Sequence, residues 1–240
     1  MRYANSRILL ILVFILIAKV SICLAKSHDA VNKSKAERLT ALAKDAGFES
    51  LTPCEQVVID AAAVGYKAEC GDKGAKEVPA DAPTDDVQLP APNKGFWEFD
   101  LPLDSPTQDG EDREQKLKKW LDQPQSYDLR ADLMRWLSTN PDAVKLVDSG
   151  GIHVVGARIM GSLDLSFVEV KFPLDFQNSL FPERFTLNGA QLALLSLRGS
   201  RLLKGMQAYS VTVSTIISLY KVTSDDKVFI VNGKLGSDLI

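Results

Sequence analysis

Asp164 and Asp175 are the two acidic residues whose spacing could support a reaction. Two carboxyl groups held roughly 5 to 9.5 Å apart can cleave a glycosidic bond, one acting as acid and the other as base or nucleophile. Whether these two meet depends on the path of the chain between them. The repeat described below places residues eleven positions apart on different sides of a coil, where each would be a solvated turn residue.

His153, in the segment GGIHVVGA, is the third candidate for a catalytic residue. In an extended strand it faces away from Ile152 and Val154, so it is predicted to point out of the core. A titrating or metal-binding role needs partners, and the nearest acids in sequence are Asp148 and Asp164. One histidine and two aspartates form a weakly specific set, so no metal site is predicted.

The common catalytic and cofactor motifs are absent from the sequence. It contains no Gly-x-Gly-x-x-Gly, no phosphate-binding glycine loop, no Cys-x-x-Cys and no His-Glu-x-x-His. We therefore predict no cofactor and do not favour an enzyme. Trp97, Trp120 and Trp136 could form a sugar-binding platform. Trp120 and Trp136 lie in helical apolar stripes, however, and this favours core positions for these two residues.

The N-terminal part of the sequence has helical spacing. Residues 26–71 are predicted to be a helical segment, with a first short helix stopped at Gly47. The stretch TPCE then combines Thr52 as N-cap, Pro53 at the first helical position and Glu55 three residues after the cap. This capping box predicts a second helix from Pro53 to about Val64.

The middle of the chain is predicted to be a linker followed by more helices. Residues 72–112 are acidic and rich in proline, with too little apolar surface to offset the entropy of ordering them. Helical spacing returns over 113–149, and DQPQS divides it into two amphipathic helices. We interpret this second segment as a helical cap.

After Gly150 a short internal repeat replaces the helical pattern. A small residue is followed two positions later by a large apolar one, and the large residues advance by 11, 11, 11 and 10 positions. The pairs are Ala157/Ile159, Val168/Val170, Ser179/Phe181, Ala190/Leu192 and Ser200/Leu202.

Such an advance equals two sides of a four-sided coil, and stacked coils bury continuous rows of large apolar residues. Glycines are expected at the tight corners, because they adopt backbone angles that other residues avoid. These are Gly156, Gly161, Gly189, Gly199 and Gly205. The predicted fold is mainly β, a quadrilateral β-solenoid over residues 150–240 that is preceded by short helices.

The stretches GARIMGSLDLSFVEVKFPLDFQNSLF and LNGAQLALLSLRGSRL resemble the irregular pentapeptide-repeat β-helices of uncharacterised bacterial proteins. LTPCEQVVIDAAAVG and YDLRADLMRWL are similar to the helical segments that precede the coils in such proteins. The resemblance covers most of the chain from Leu51 onward and implies a right-handed β-helix. The five-residue pattern is loose, and beyond Leu202 it is poorly kept. Some relatives carry an oxidoreductase label, which no residue of this sequence supports.

The first residues have the pattern of a secretory signal. Arg2 and Arg7 precede an apolar run from Ile8 to Ile17, and Cys23 and Ala25 supply the small residues that a signal peptidase requires. Residues 1–25 are therefore predicted to be a cleaved signal peptide. The chain would then be exported to the periplasm or the extracellular space.

A retained membrane anchor over residues 8–25 is the alternative. Lys19 disfavours it, because it interrupts the apolar run. The uninterrupted part is about half of the roughly 20 residues that a spanning helix needs. Contact with a membrane is expected only if the segment is retained.

Cleavage of the signal removes three basic residues and no acid, which takes the net charge from −3 to −6. Nucleic acid is therefore not an expected partner.

Cys54 and Cys70 are the only cysteines of the predicted mature chain, and in an oxidising compartment they are expected to pair. If the second helix stops near Gly65, the residues after it can run back along the helix and bring the sulfurs together. If the helix continues through Ala68, both thiols would remain free.

The predicted function is that of an exported, non-catalytic binding or scaffolding protein of the cell envelope, whose partner is an unidentified protein or glycan. Solenoids present long regular faces, and the sequence alone does not identify the functional surface. The alternative is an envelope enzyme that acts on glycan through Asp or Glu on one coil face.

The C-terminal phrase NGKLGSDLI begins another repeat without finishing a coil. An unfinished coil exposes unpaired backbone groups and an apolar cross-section. We expect either a shortened relative of a longer protein or an end-to-end homodimer in which a second copy covers the last coil. A frayed terminus is the alternative.

Export with cleavage after Ala25 is the first testable prediction. N-terminal sequencing and mass measurement of the protein from the envelope fraction should show a chain that begins at Lys26. A soluble cytoplasmic chain that still begins at Met1 would contradict it.

Overall fold

In a computed structural model, residues 31–71, 76–79 and 110–236 are described. Short helices precede a parallel β-solenoid of about four turns, which is the predicted order of elements. The predicted signal peptide and most of the predicted linker lie outside the described residues. Within those three ranges, every helix is too short or too polar to span a membrane.

The first two helices have the predicted ends. Helix α1 extends over residues 31–45, and Gly47 follows with a φ of 98°. Helix α2, Pro53–Val64, starts with the predicted capping box, because the Thr52 side chain accepts from the Glu55 backbone and the Glu55 carboxylate accepts from Thr52 N. It ends at Gly65, whose left-handed backbone reverses the chain.

Strand β1, Tyr66–Glu69, runs back along α2 and joins Cys70 to Cys54 in a disulfide with a Cα–Cα distance of 4.8 Å. The predicted pairing is thus confirmed. Closing a loop of this length stabilises the fold by about 3 kcal/mol in the chain-entropy model. Strand β2, Lys76–Pro79, pairs antiparallel with β1 although it falls in the predicted linker. Without β2, the backbone groups on this edge of β1 would have no strand partner, and a short extended segment is enough to pair with them.

The second helical segment leads directly into the solenoid. Helix α3, Gly110–Leu121, ends before the predicted break, and strand β3, Asp128–Arg130, follows. Helices α4, Ala131–Thr139, and α5, Pro141–Leu146, then complete the cap, with the Asn140 side chain accepting from two backbone amides at the start of α5. Leu133 and Leu137 of α4 are fully buried.

Parallel pairing arranges the remaining strands as four stacked sides, numbered here in chain order. Side 1 contains β4 (Ile152–Val155), the ends of β6 (Glu169–Gln177) and β9 (Gln191–Ser196), and β13 (Ile217–Ser218). Side 2 contains β5 (Arg158–Met160), β7 (Leu180–Phe181), β10 (Arg201–Leu202) and β14 (Thr223–Ser224). Side 3 contains Asp164, β8 (Phe185–Thr186), β11 (Met206–Tyr209) and β15 (Val228–Val231). Side 4 contains the starts of β6 and β9, β12 (Thr212–Val213) and β16 (Lys234–Leu235).

The register fixes the length of each coil at 21 or 22 residues. On side 1, Ile152 pairs with Leu174, Leu174 with Leu195, and Leu195 with Ile217. All four side chains are at most 1% exposed, so the row is part of the core. This is twice the advance that the sequence predicted, as a four-sided coil requires.

Two rows of left-handed backbone mark the corners of the coils. The corner between sides 1 and 2 contains Gly156, Asn178, Gly199 and Lys221, and the corner between sides 3 and 4 contains Phe167, Gly189, Ser210 and Asn232, all with φ between 54° and 71°. The five glycines expected at corners all have positive φ. Non-glycine residues occupy more than half of these two rows, which the sequence pattern did not indicate.

The helical cap covers the first coil through extra strands. Strand β1 pairs with β4 on side 1, and β3 pairs with β5 on side 2, so both sides continue into the cap. Two ion pairs lie at this junction. The fully buried Glu55 of α2 binds Arg130, and the fully buried Arg158 of β5 binds Asp128 of β3 through two bonds of 2.6 and 2.8 Å.

Arg158 also donates to two backbone carbonyls of the cap. Its guanidinium reaches the oxygens of Trp120 at 3.1 Å and Gln123 at 2.6 Å, and it lies 4.6 Å from the centre of the Trp120 ring. One buried cation thus attaches the segment after α3 to the solenoid.

Arg158→Ala should lower the free energy of unfolding by about 3 to 5 kcal/mol, because it leaves the Asp128 carboxylate without its charged partner at a mostly buried position. Arg201 is the matched control. It occupies the same row of side 2 two coils later and pairs at 3.2 Å with Asp225, whose side chain is 38% exposed. Arg201→Ala should cost at most about 1 kcal/mol. Urea unfolding measures both, and equal losses would contradict the proposed anchoring role.

Candidate functional site

The coil register brings His153 and Asp175 together on the outer surface of side 1. They are direct partners across β4 and β6, with 3.4 Å between His153 Nδ1 and Asp175 Oδ2. The other ring nitrogen, Nε2, lies 2.9 Å from the Gly150 carbonyl oxygen. His153 points out of the core as predicted, yet its side chain is only 17% exposed.

Asp175 is held as a carboxylate by its neighbours. Gln177 donates to Oδ2 at 2.6 Å, and Ser196 is the residue paired with Asp175 in the next coil. Burial on its own raises the pKa of Asp175, but hydrogen bonds from His153, Ser196 and Gln177, with the attraction of His153, outweigh it and leave the pKa below its usual value.

The order of these residues along side 1 does not suit nucleophilic catalysis. A serine is activated when the imidazole lies between the hydroxyl and the carboxylate. Here the row runs from His153 to Asp175 to Ser196, so the carboxylate lies between the other two. The backbone contact of Nε2 further fixes the ring. The arrangement thus holds the side chains of His153 and Asp175 in place on the surface of side 1.

Asp164 lies on side 3, across the solenoid from Asp175. It forms a bridge to Thr186, its carboxylate accepts from Ser166 N at 2.8 Å, and Arg135 donates to its backbone oxygen. The hydrogen bonds to Ser166 and the nearby Arg135 charge lower the pKa of Asp164 despite partial burial. The two carboxylates proposed for glycoside cleavage are therefore not brought together, and Asp164 has the character of a turn residue.

The tryptophans considered as a sugar-binding platform pack against other side chains where the structure describes them. The Arg158 guanidinium covers the Trp120 ring, and Trp136 packs against Phe48 with 5.8 Å between the ring centres. Trp97 lies outside the described residues. In the ranges that the structure covers, no three His, Cys, Asp or Glu side chains gather closely enough to hold a metal ion. A depression between α1 and α5 is open to solvent, and none of the candidate residues lines it.

The second and third coils have an outer surface that sequence reasoning missed. Residues 185–197 and 205–220 contain no Asp, Glu, Lys, Arg or His. They form sides 3 and 4 of these two coils and continue onto side 1 of the coil that follows each. We define the neutral face as the outward side chains of this region on sides 3 and 4. They are Thr186, Asn188, Gln191, Gln207, Tyr209 and Thr212.

Apart from Asp175 on side 1, the charged residues of the same coils lie on or beside side 2. Ion pairs there join Glu183 to Lys204 at 2.7 Å and Arg201 to Asp225 at 3.2 Å. Because the coil length is close to 22, aligning the sequence at that interval would have revealed this separation of neutral and charged sides. The shorter eleven-residue alignment merges opposite sides and hides it.

No protein family, curated protein or solved structure matches this chain.

Asp175→Asn tests the electrostatic role of the pair on side 1. A carboxyl group with a lowered folded pKa stabilises the protein at pH values above its unfolded pKa, near 3.9, and this stabilisation is lost as the pH falls through the folded pKa. Wild type should therefore lose more free energy of unfolding than the variant between about pH 5 and pH 2. Denaturant unfolding across this range measures the difference. The control Glu169→Gln changes an exposed carboxylate and should leave the acid profile nearly unchanged; identical profiles for wild type and Asp175→Asn would refute the role.

Proposed function

We propose that this chain is an exported, non-catalytic binding or scaffolding protein of the cell envelope, and that the neutral face is its binding surface. The solenoid is compatible with a pentapeptide-repeat-like β-helix, the family that the sequence resembles. The observation that carries the proposal is the uncharged outer surface of sides 3 and 4 over two coils.

A continuous uncharged surface is unusual on a chain in which 25% of the residues are charged. Surface charge keeps proteins soluble and separate. Where sides 3 and 4 lack it over two coils, close contact with a partner carries no cost for desolvating ions. The disulfide is consistent with an oxidising compartment, which supports export.

The glycan-cleaving alternative receives less support. It requires two carboxyl groups at a short separation, whereas Asp164 and Asp175 occupy opposite sides of the coil. Binding without cleavage needs only the surface itself, which solenoids commonly provide.

A matched pair of threonine substitutions tests the proposal. Thr212→Lys places a charge on the neutral face, whereas Thr223→Lys places it on β14 of side 2, among existing charges. Purified wild type should co-sediment with isolated envelope material, Thr212→Lys should bind at least about tenfold more weakly, and Thr223→Lys should bind as wild type does.

Thermal unfolding of all three proteins shows whether the fold is kept. Absence of wild-type binding, or equal loss in both variants, would overturn the assignment of the neutral face. New reducing ends in the envelope material would instead indicate the enzyme.

A further inference from the structure

Phe167 stands at the margin of the neutral face in an unfavourable conformation. It occupies the corner between sides 3 and 4 of the first coil with a φ of 58°, and it is 85% exposed. The other members of that corner row are Gly189, Ser210 and Asn232, of which the glycine and the asparagine tolerate this backbone better. A bulky residue kept in such a conformation without being buried indicates a role outside folding.

The Phe167 ring has a defined position over the next coil. A Cβ placed on Gly189 would lie 2.7 Å from Cδ1 and 2.8 Å from Cε1 of the ring. The absence of a side chain at Gly189 therefore lets the ring rest against the backbone of the solenoid. Most of the ring surface remains available to a ligand.

Tyr209 provides a second exposed ring on the same surface. It ends β11 in the third coil, is 40% exposed and stacks on Phe229 with 6.3 Å between ring centres and 19° between ring planes. Neighbouring parallel strands are about 4.8 Å apart, so Phe167 and Tyr209 start from backbones about 9.6 Å apart along the solenoid axis. Amide and hydroxyl side chains of the neutral face, including Asn188 and Gln207, lie near them.

We infer that the neutral face binds an extended, uncharged β-1,4-linked glycan chain, whose sugars stack on Phe167 and Tyr209. Sugar rings combine an apolar face with peripheral hydroxyls, and they match aromatic rings flanked by neutral hydrogen-bonding groups. In a β-1,4-linked chain every second sugar presents the same face, and this repeat is close to the spacing of two coils. The inference rests on the proposed function and names its ligand.

The chemistry of the face disfavours the other classes of partner. Anionic membranes and nucleic acids select basic surfaces, and the two uncharged stretches contain no Lys or Arg. Protein interfaces commonly use charge complementarity at the rim to fix orientation, which this face does not offer over its second and third coils. A neutral polymer needs neither.

Calorimetric titration with defined oligosaccharides tests the inference. Wild type should bind the hexamers of β-1,4-linked glucose or N-acetylglucosamine and should bind the α-1,4-linked glucose hexamer at least about fivefold more weakly. Phe167→Asn and Tyr209→Ala should each weaken binding of the β-linked hexamer at least about fivefold. Phe167→Asn should melt no lower than wild type, because asparagine tolerates the left-handed backbone.

Tyr220→Ala is the matched control. Tyr220 is 51% exposed and lies next to Lys221 at the opposite corner, between sides 1 and 2. Its removal should leave glycan affinity unchanged.

Failure of wild type to bind either β-linked hexamer at millimolar concentration, or equal affinities in wild type and both ring variants, would overturn the inference. If wild type still binds envelope material and Thr212→Lys does not, the proposed function stands while the glycan assignment fails. If wild type binds the hexamers but not envelope material, the failure belongs to the proposed function.

Discussion

The constant length of the coils is the constraint on which the rest of this structure depends. Each inward residue reaches the core only if the residue one coil earlier lies directly beneath it, and this holds because pairing advances by 21 or 22 residues. An irregularity in the pairing of β6 with β9, between Val170 and Pro173, marks the point where the interval between these coils changes from 22 to 21 residues. A slip by one position would turn the buried row of side 1 outward and the row of His153 and Asp175 inward.

The helical cap solves a second problem, which is the open end of a stack of coils. Strands β1 and β3 extend two sides beyond the first coil, and helices α2 and α4 cover its apolar cross-section. Buried charges at this junction replace apolar packing: Glu55 binds Arg130, and Asp128 binds Arg158. Such pairs add little net stability compared with apolar residues, but they fix the relative positions of cap and solenoid because a displaced charge would lose its partner in a dry environment.

The stacking of coils leaves the outer surface as the place where a solenoid can bind a partner. A solenoid fills its interior with its own side chains and leaves only outward rows, so chemistry has to be built across coils. On side 1 this places His153 beside Asp175, in an order that orients the pair without creating a nucleophile. On sides 3 and 4 it produces an uncharged surface that includes Tyr209 and is bordered by Phe167, and both rings are exposed. Recognition of an extended ligand suits such a surface.

Local pattern in the sequence determined the elements that depend on neighbours in the chain. The capping box at Thr52 and the left-handed stop at Gly65 defined α2, which in turn allowed Cys54 and Cys70 to meet, and the spacing of small and large residues predicted the solenoid. Tertiary structure alone decided which polar residues meet. Asp128 and Arg158 are separated by helices α4 and α5 and by strand β4, whose lengths no repeat specifies. Strand β2 pairs in a segment that composition marked as a linker. Local periodicity determines which side of a strand is buried, whereas contacts between coils depend on the register accumulated over a whole turn.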